Sequence, residues 1–153
     1  MSGSRIEKKV WIQASAEIIF QALVRANALE EWFCDKATSD ARDGGEITAQ
    51  WNEGKNRRKG RAVITRFESG RALKLHWTDD GRSENDDVVS THILSYEINP
   101  KAGMTELVMI DSDDAEIDEE TLAYLADGWN AVLMELKDYC EHRERAAKKR
   151  SRS

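Results

Sequence analysis

Near the C-terminus, Leu122, Leu125, Trp129, Val132, Leu133, Leu136 and Cys140 recur mostly at steps of three and four. That period lays one apolar stripe along an α-helix; a strand would alternate at steps of two. Glu119 and Glu120 open the segment and His142 with Arg143 close it, matching the sign of the helix dipole. About 24 residues at 1.5 Å each make a rod of roughly 36 Å, enough to cross a small domain. A long amphipathic helix that follows a series of strands must lay its stripe on their sheet. The space between helix and sheet is therefore where function is sought.

The strands come first. Arg5–Gln13 reads as a strand with Ile6, Val10 and Ile12 on one face and Trp11 on the other. Ser15 is placed as the N-cap of a short helix, Ala16–Val24, and a second short helix spans Ala26–Trp32. Gly44-Gly45 marks a turn before Glu46–Trp51, and the polar run Asn52–Lys59 reads as a hairpin connection. Arg61–Glu68, Ala72–Trp77, Val88–Ile98 and Met104–Ile110 are the remaining strands. The run Asn99–Gly103 is a turn, and Asp79–Asp87 and Asp111–Asp118 are acidic loops. Short turns between strands imply an antiparallel sheet, and segregated helices imply an α+β domain, with the sheet curved around the long helix.

With 153 residues, 40% apolar and 34% charged, the chain has the size and composition of one globular domain. No apolar run approaches the roughly 20 residues that span a bilayer, and MSGSRIEKK is not followed by a signal-type core. The expected location is the cytoplasm, where Cys34 and Cys140, far apart, stay reduced and buried. Residues 143–153 carry six Lys/Arg against one Glu, a surplus of five. The rest is thus about eleven negative, given a net charge of −6. The basic run is expected to be a disordered tail; without interleaved aromatics, on an acidic body, it does not predict nucleic-acid binding.

These segments contain A-S-A-E-x-I-F-x-A-L over Ala14–Leu23, L-x-x-W-F over Leu29–Phe33, the Gly44-Gly45 pair and a strand ending in Trp77. T-x-L at Thr105–Leu107 and G-W-x-x-x-L-x-x-L at Gly128–Leu136 complete the set. In that order they resemble the START-like (SRPBCC) superfamily, in the branch similar to the C-terminal domain of the activator of Hsp90 ATPase, over residues 5–142. The resemblance implies a helix-grip fold, an antiparallel sheet curled around the C-terminal helix with a cavity between them.

Such a cavity would be walled by Trp32, Trp51, Trp77 and Trp129, all on inward positions, with Phe33, Tyr96, Met109, Leu125 and Leu133 beside them. Trp combines a large apolar body with an N–H that needs a partner, which suits a pocket wall with a few polar handles. Gly128, inside the helix, costs about 1 kcal/mol relative to Ala, and close packing against the sheet is the expected reason.

Catalytic signals are thin. His76, His92 and His142 are dispersed, and only His92 points inward by alternation. Ser15 has a capping role and Cys34 no evident His partner. An EF-hand register from Asp111 fails, with Glu116 at the glycine position and Leu122 at the last ligand. No zinc spacing and no Gly-rich phosphate loop is present, so no metal or cofactor is expected. The leading function is a binding module for an apolar or amphipathic molecule, such as a lipid, polyketide or aromatic metabolite. A chaperone-accessory protein using its acidic loops is the second, and a cavity cyclase or hydrolase using His92 or Tyr96 the third. Oligomeric state is left open.

Overall fold

The computed structural model describes residues 4–53, 56–79, 90–113 and 118–151. β1 (Ser4–Ile12) is followed by α1 (Ala16–Val24), α2 (Ala26–Trp32) and β2 (Lys36–Ser39). β3 (Glu46–Glu53), β4 (Asn56–Glu68), β5 (Ala72–Asp79), β6 (Ser90–Lys101) and β7 (Met104–Asp113) then lead into α3 (Glu119–Ser151). The strands form one seven-stranded sheet in the order β1-β7-β6-β5-β4-β3-β2, every pair antiparallel. This is the expected α+β helix-grip fold.

The short helices sit where the sequence places them. Ser15 caps α1 by accepting the Ile18 N–H at 3.2 Å, and α1 buries Ile19, Phe20, Ala22, Leu23 and Val24. The Trp32 indole N–H donates to the Ala22 carbonyl at 2.8 Å, fastening α2 to α1. Between Cys34 and Gly44 lies β2, which the sequence did not reveal. Lys36–Ser39 carries no apolar alternation because it is an edge strand with little burial on either face.

The other differences lie at strand ends. The connection expected over Asn52–Lys59 is mostly strand, since Glu53 already pairs with Asn56. The turn expected over Asn99–Gly103 narrows to Ala102-Gly103, with Gly103 at φ 84°, and Pro100 remains in β6, paired with Thr105. β7 runs on to Asp113, which takes Asp111 out of the predicted loop and into the sheet. Of the two acidic segments, 80–87 and 114–117 lie outside the described residues.

A bulge sets which face of β4 is buried. Ala62 and Ile64 are fully buried and Val63 exposed, yet Phe67, of opposite parity, packs against Phe20 with ring centroids 5.1 Å apart. The register shifts between Ile64 and Arg66, and one extra residue there reverses the parity. Gly44-Gly45 clamps the spot: Gly44 N–H donates to Ile64 O and Ile64 N–H to Gly45 O, each at 2.8 Å. A Cβ on Gly45 would lie 1.9 Å from the Asp40 carbonyl oxygen, so only glycine fits.

α3 continues through residues 143–151, which were expected to be a disordered basic tail, instead of ending near His142. Its second half is bound tightly. Leu133, Leu136 and Cys140 are buried in the core, and burial pushes the Cys140 thiol up to about 12. Two glutamates grip the backbone that joins β1 to α1: the Gln13 N–H donates to Glu141 at 2.9 Å and the Ser15 N–H to Glu144 at 2.7 Å. Both cysteines are free thiols.

Candidate functional site

The apolar stripe of α3 changes character along its length. From Leu133 onward it is packed into the core, whereas Leu122, Trp129 and Val132 are only partly covered and Leu125 is 39% exposed. Beneath that first half lies a cavity of about 670 Å³. Its opposite wall is made by Trp77, His92, Leu94 and Asp111 of the sheet, and Phe33 with Trp51 close one side.

Strand alternation delivers these side chains. On β5, Leu73, Leu75 and Trp77 face inward; on β6, Leu94, Tyr96 and Ile98 do, and His92 continues that face. On β7, Thr105, Leu107, Met109 and then Asp111 share a parity. Trp77 stands directly opposite His92, and Leu94 opposite Asp111, so the imidazole and carboxylate meet on a diagonal. His92 Nδ1 is 2.6 Å from Asp111 Oδ1. The Trp129 indole N–H donates to Asp111 Oδ2 at 2.9 Å. A carboxylate only accepts, so the shared proton of the His92 contact belongs on Nδ1. Asp111 thus joins a strand side chain and a helix side chain at the cavity wall.

The aromatic wall is held as firmly. The Trp51 indole N–H donates to the Phe33 carbonyl at 2.7 Å. The Phe33 ring lies 5.1 Å from Trp51 at 75° and 6.1 Å from Trp77 at 51°. These are the edge-on and tilted arrangements that aromatic quadrupoles favour.

Of the nine residues expected at a pocket, the structure brings Phe33, Trp51, Trp77, Leu125 and Trp129 to the cavity lining. Trp32, Tyr96, Met109 and Leu133 are in the core instead, each less than a tenth exposed. Trp32 spends its N–H on α1, and Tyr96 lies below the lining, where burial and the Asp111 charge push its hydroxyl well above the usual tyrosine range. Asp111 was missed, because an acidic run looks like a loop. The inward parity Thr105, Leu107, Met109 was the signal that the strand carries on. Leu122 and Val132 lay on the helix stripe but were not assigned to the pocket. Gly128 also lines the cavity. Close packing does not explain it: a Cβ there would meet nothing within 4 Å.

Elsewhere, a depression of about 680 Å³ lies between the β1–α1 connection, the β6–β7 turn and the end of α3. Its rim is charged, with Glu144, Arg145 and Lys148, and it holds none of the nine expected residues. Among the described residues, no three His, Cys, Asp or Glu side chains come together as a metal site. No described helix is long and apolar enough to cross a membrane.

A family model described as "Activator of Hsp90 ATPase homolog 1-like protein" matches residues 13–141. No curated protein sequence matches the chain. Solved structures share the fold. DynU16, from the dynemicin biosynthetic locus, superposes with a TM-score of 0.75 at 16% identity, over 92% of this chain and 48% of that one. MLL2253 from Mesorhizobium loti gives 0.75 at 16% identity over 91% and 98% of the two chains. The solution structure of the Aha1 dimer from Colwellia psychrerythraea gives 0.70 at 19% identity over 90% and 96%.

Proposed function

The chain belongs to the activator of Hsp90 ATPase homolog 1-like family, and on that premise we propose that it is a small-molecule binding module. Its ligand is apolar or amphipathic, of the lipid, polyketide or aromatic-metabolite kind, and sits between the first half of α3 and the sheet. The observation that carries this reading is the change along α3. One continuous apolar stripe is packed at Leu133, Leu136 and Cys140 but stands over a void at Leu122, Leu125 and Trp129. Leaving apolar side chains on a void forfeits the dispersion contacts and water exclusion that a closed core would gain. A ligand restores both. The volume, about 670 Å³, lies in the range that ligand pockets occupy. Phe33, Trp51, Trp77, Leu125 and Trp129 supply the contact surface; Trp32, Tyr96, Met109 and Leu133 form the layer that supports it.

Native mass spectrometry, followed by an amide-shift titration with lipids and aromatic metabolites, tests the proposal. Saturable shifts around Phe33, Trp51, Trp77 and Trp129 are expected, and Trp129→Ala should abolish them while leaving the circular dichroism spectrum intact. No adduct and no shift across the panel would overturn it.

The family's own description favours a second reading, an accessory to an Hsp90-type chaperone. Its acidic body would then meet a basic partner surface, and capture of such a chaperone should weaken steeply as salt rises. Salt-independent capture, or none, counts against it.

A further inference from the structure

We infer that the indole N–H of Trp77 is the hydrogen-bonding handle of the cavity. The molecule held there then carries an accepting oxygen, as a carbonyl, ether or hydroxyl, on an apolar or aromatic body. The inference rests on the reading of the cavity as a binding site and adds the chemical class of its occupant.

A contrast among four indoles is the first ground. Trp32, Trp51 and Trp129 each spend their N–H within the protein, on the Ala22 carbonyl, the Phe33 carbonyl and the Asp111 carboxylate. Trp77 is only 5% exposed, yet its N–H donates to no described residue. Buried indoles ordinarily find an acceptor, because a donor taken out of water without one forfeits its hydration. Among the described residues, no side-chain donor is sealed away from all open space without a partner. The Trp77 N–H therefore keeps contact with open space, and the space that Trp77 lines is the cavity.

Placement is the second ground. On β5, Trp77 stands between Ala62 of β4 and His92 of β6. Phe33 tilts against it at 51°, with ring centroids 6.1 Å apart. The donor is thereby fixed on the sheet wall before a ligand arrives, so little ordering entropy opposes binding. Across the space, Leu122, Leu125 and Val132 of α3 offer only hydrocarbon. A bound molecule is thus oriented, its oxygen on the sheet and its apolar body under the helix. A pure hydrocarbon would cover the N–H and leave it unpaired. Sites built around a hydrogen bond discriminate against such analogues more strongly than an apolar pocket discriminates against a missing methylene.

Fluorenone and fluorene share one flat shape and differ by a carbonyl in place of a methylene, so the pair isolates the handle. Amide and indole N–H spectra of the isotope-labelled full chain follow both titrations. At saturation, fluorenone is expected to move the Trp77 indole proton downfield of where fluorene leaves it. The preference for ketone over hydrocarbon should fall about three- to tenfold in Trp77→Phe, which keeps an aromatic ring and loses the donor. Should that variant lose its native circular dichroism spectrum, the indole proton of the unaltered chain decides. A Trp77 proton that fluorenone moves no further downfield than fluorene does, or a preference unchanged in the variant, overturns the handle and leaves the binding cavity standing. If only a member of the lipid and metabolite panel binds, an oxygen-bearing member that leaves this proton in place overturns it equally. Failure of both probes together with a shiftless panel overturns the cavity reading as well.

Discussion

The indole N–H of Trp129 donates to Asp111 Oδ2 at 2.9 Å, tying the raised half of α3 to the strand face beneath it. Phe at 129 would keep most of the ring but leave Asp111 without that donor. Hydrogen bonds to charged acceptors contribute more than neutral ones, and partial exposure here reduces the figure. Trp129→Phe is expected to destabilise the fold by about 1–2 kcal/mol in urea denaturation. A loss below a few tenths would mean that solvent replaces the indole at no cost.

The two halves of the helix stripe should respond differently to one substitution. Leu136 is fully buried and Leu125 is 39% exposed. Leu136→Ala removes packed methyl groups and leaves a cavity, at an expected cost of about 2–5 kcal/mol. Leu125→Ala trims a side chain that already borders a void, and should cost under about 1 kcal/mol while weakening ligand binding. Equal destabilisation of the two variants would show that the helix is packed evenly along its length.

Gly128 is an exposed position inside α3 where an added Cβ meets nothing within 4 Å. Glycine there carries only the entropic penalty of a flexible helix residue. Gly128→Ala is expected to stabilise the free protein by about 1 kcal/mol, seen as a higher thermal midpoint. A lower midpoint would mean that the added methyl group meets a neighbour.

Acid should loosen the grip of α3 on the β1–α1 connection. Burial works to raise the Glu141 carboxyl, but the Gln13 N–H and the Lys137 ammonium outweigh it and hold the group below its ordinary value of 4.5. A carboxyl lowered on folding contributes stability above its unfolded value, and loses it as pH falls through the lowered folded one. Denaturation midpoints should therefore decline below the ordinary carboxylate range, and Glu141→Gln should flatten that decline. An unchanged acid limb in the variant would assign it to other carboxylates.

Periodicity made most of this architecture legible. The steps of three and four over Leu122–Cys140 located α3, Ser15 located the start of α1, and Leu73, Leu75 and Trp77 gave the inner face of β5. β2 was hidden because Lys36–Ser39 is an edge with no buried alternation. The parity change of β4 depends on a bulge, which leaves no mark in residue type. At the site, five of nine expected residues reach the cavity. Inward orientation alone could not separate those lining a void from Trp32, Tyr96, Met109 and Leu133 packed behind them. That separation depends on how far α3 stands off the sheet. Asp111 was obscured by its acidic neighbours, although its partner His92 was placed on the correct face.

The pairing of β1 with β7 has a consequence for how the chain assembles during synthesis. Val10 lies opposite Leu107, so the first strand made waits for the last before its ladder can form. The β3–β7 strands are joined locally and can zip as hairpins while the chain is still emerging, whereas β1 must close a very long loop at an entropic cost that grows with loop length. α3 follows β7 and packs on β1, so the two latest events occur at one edge of the sheet. Until then β1, with Ile6, Val10 and Ile12 uncovered, presents an unpaired strand to the ribosome's surroundings. That interval, set by elongation and not by the finished protein's stability, is when this chain is open to chaperones and to aggregation.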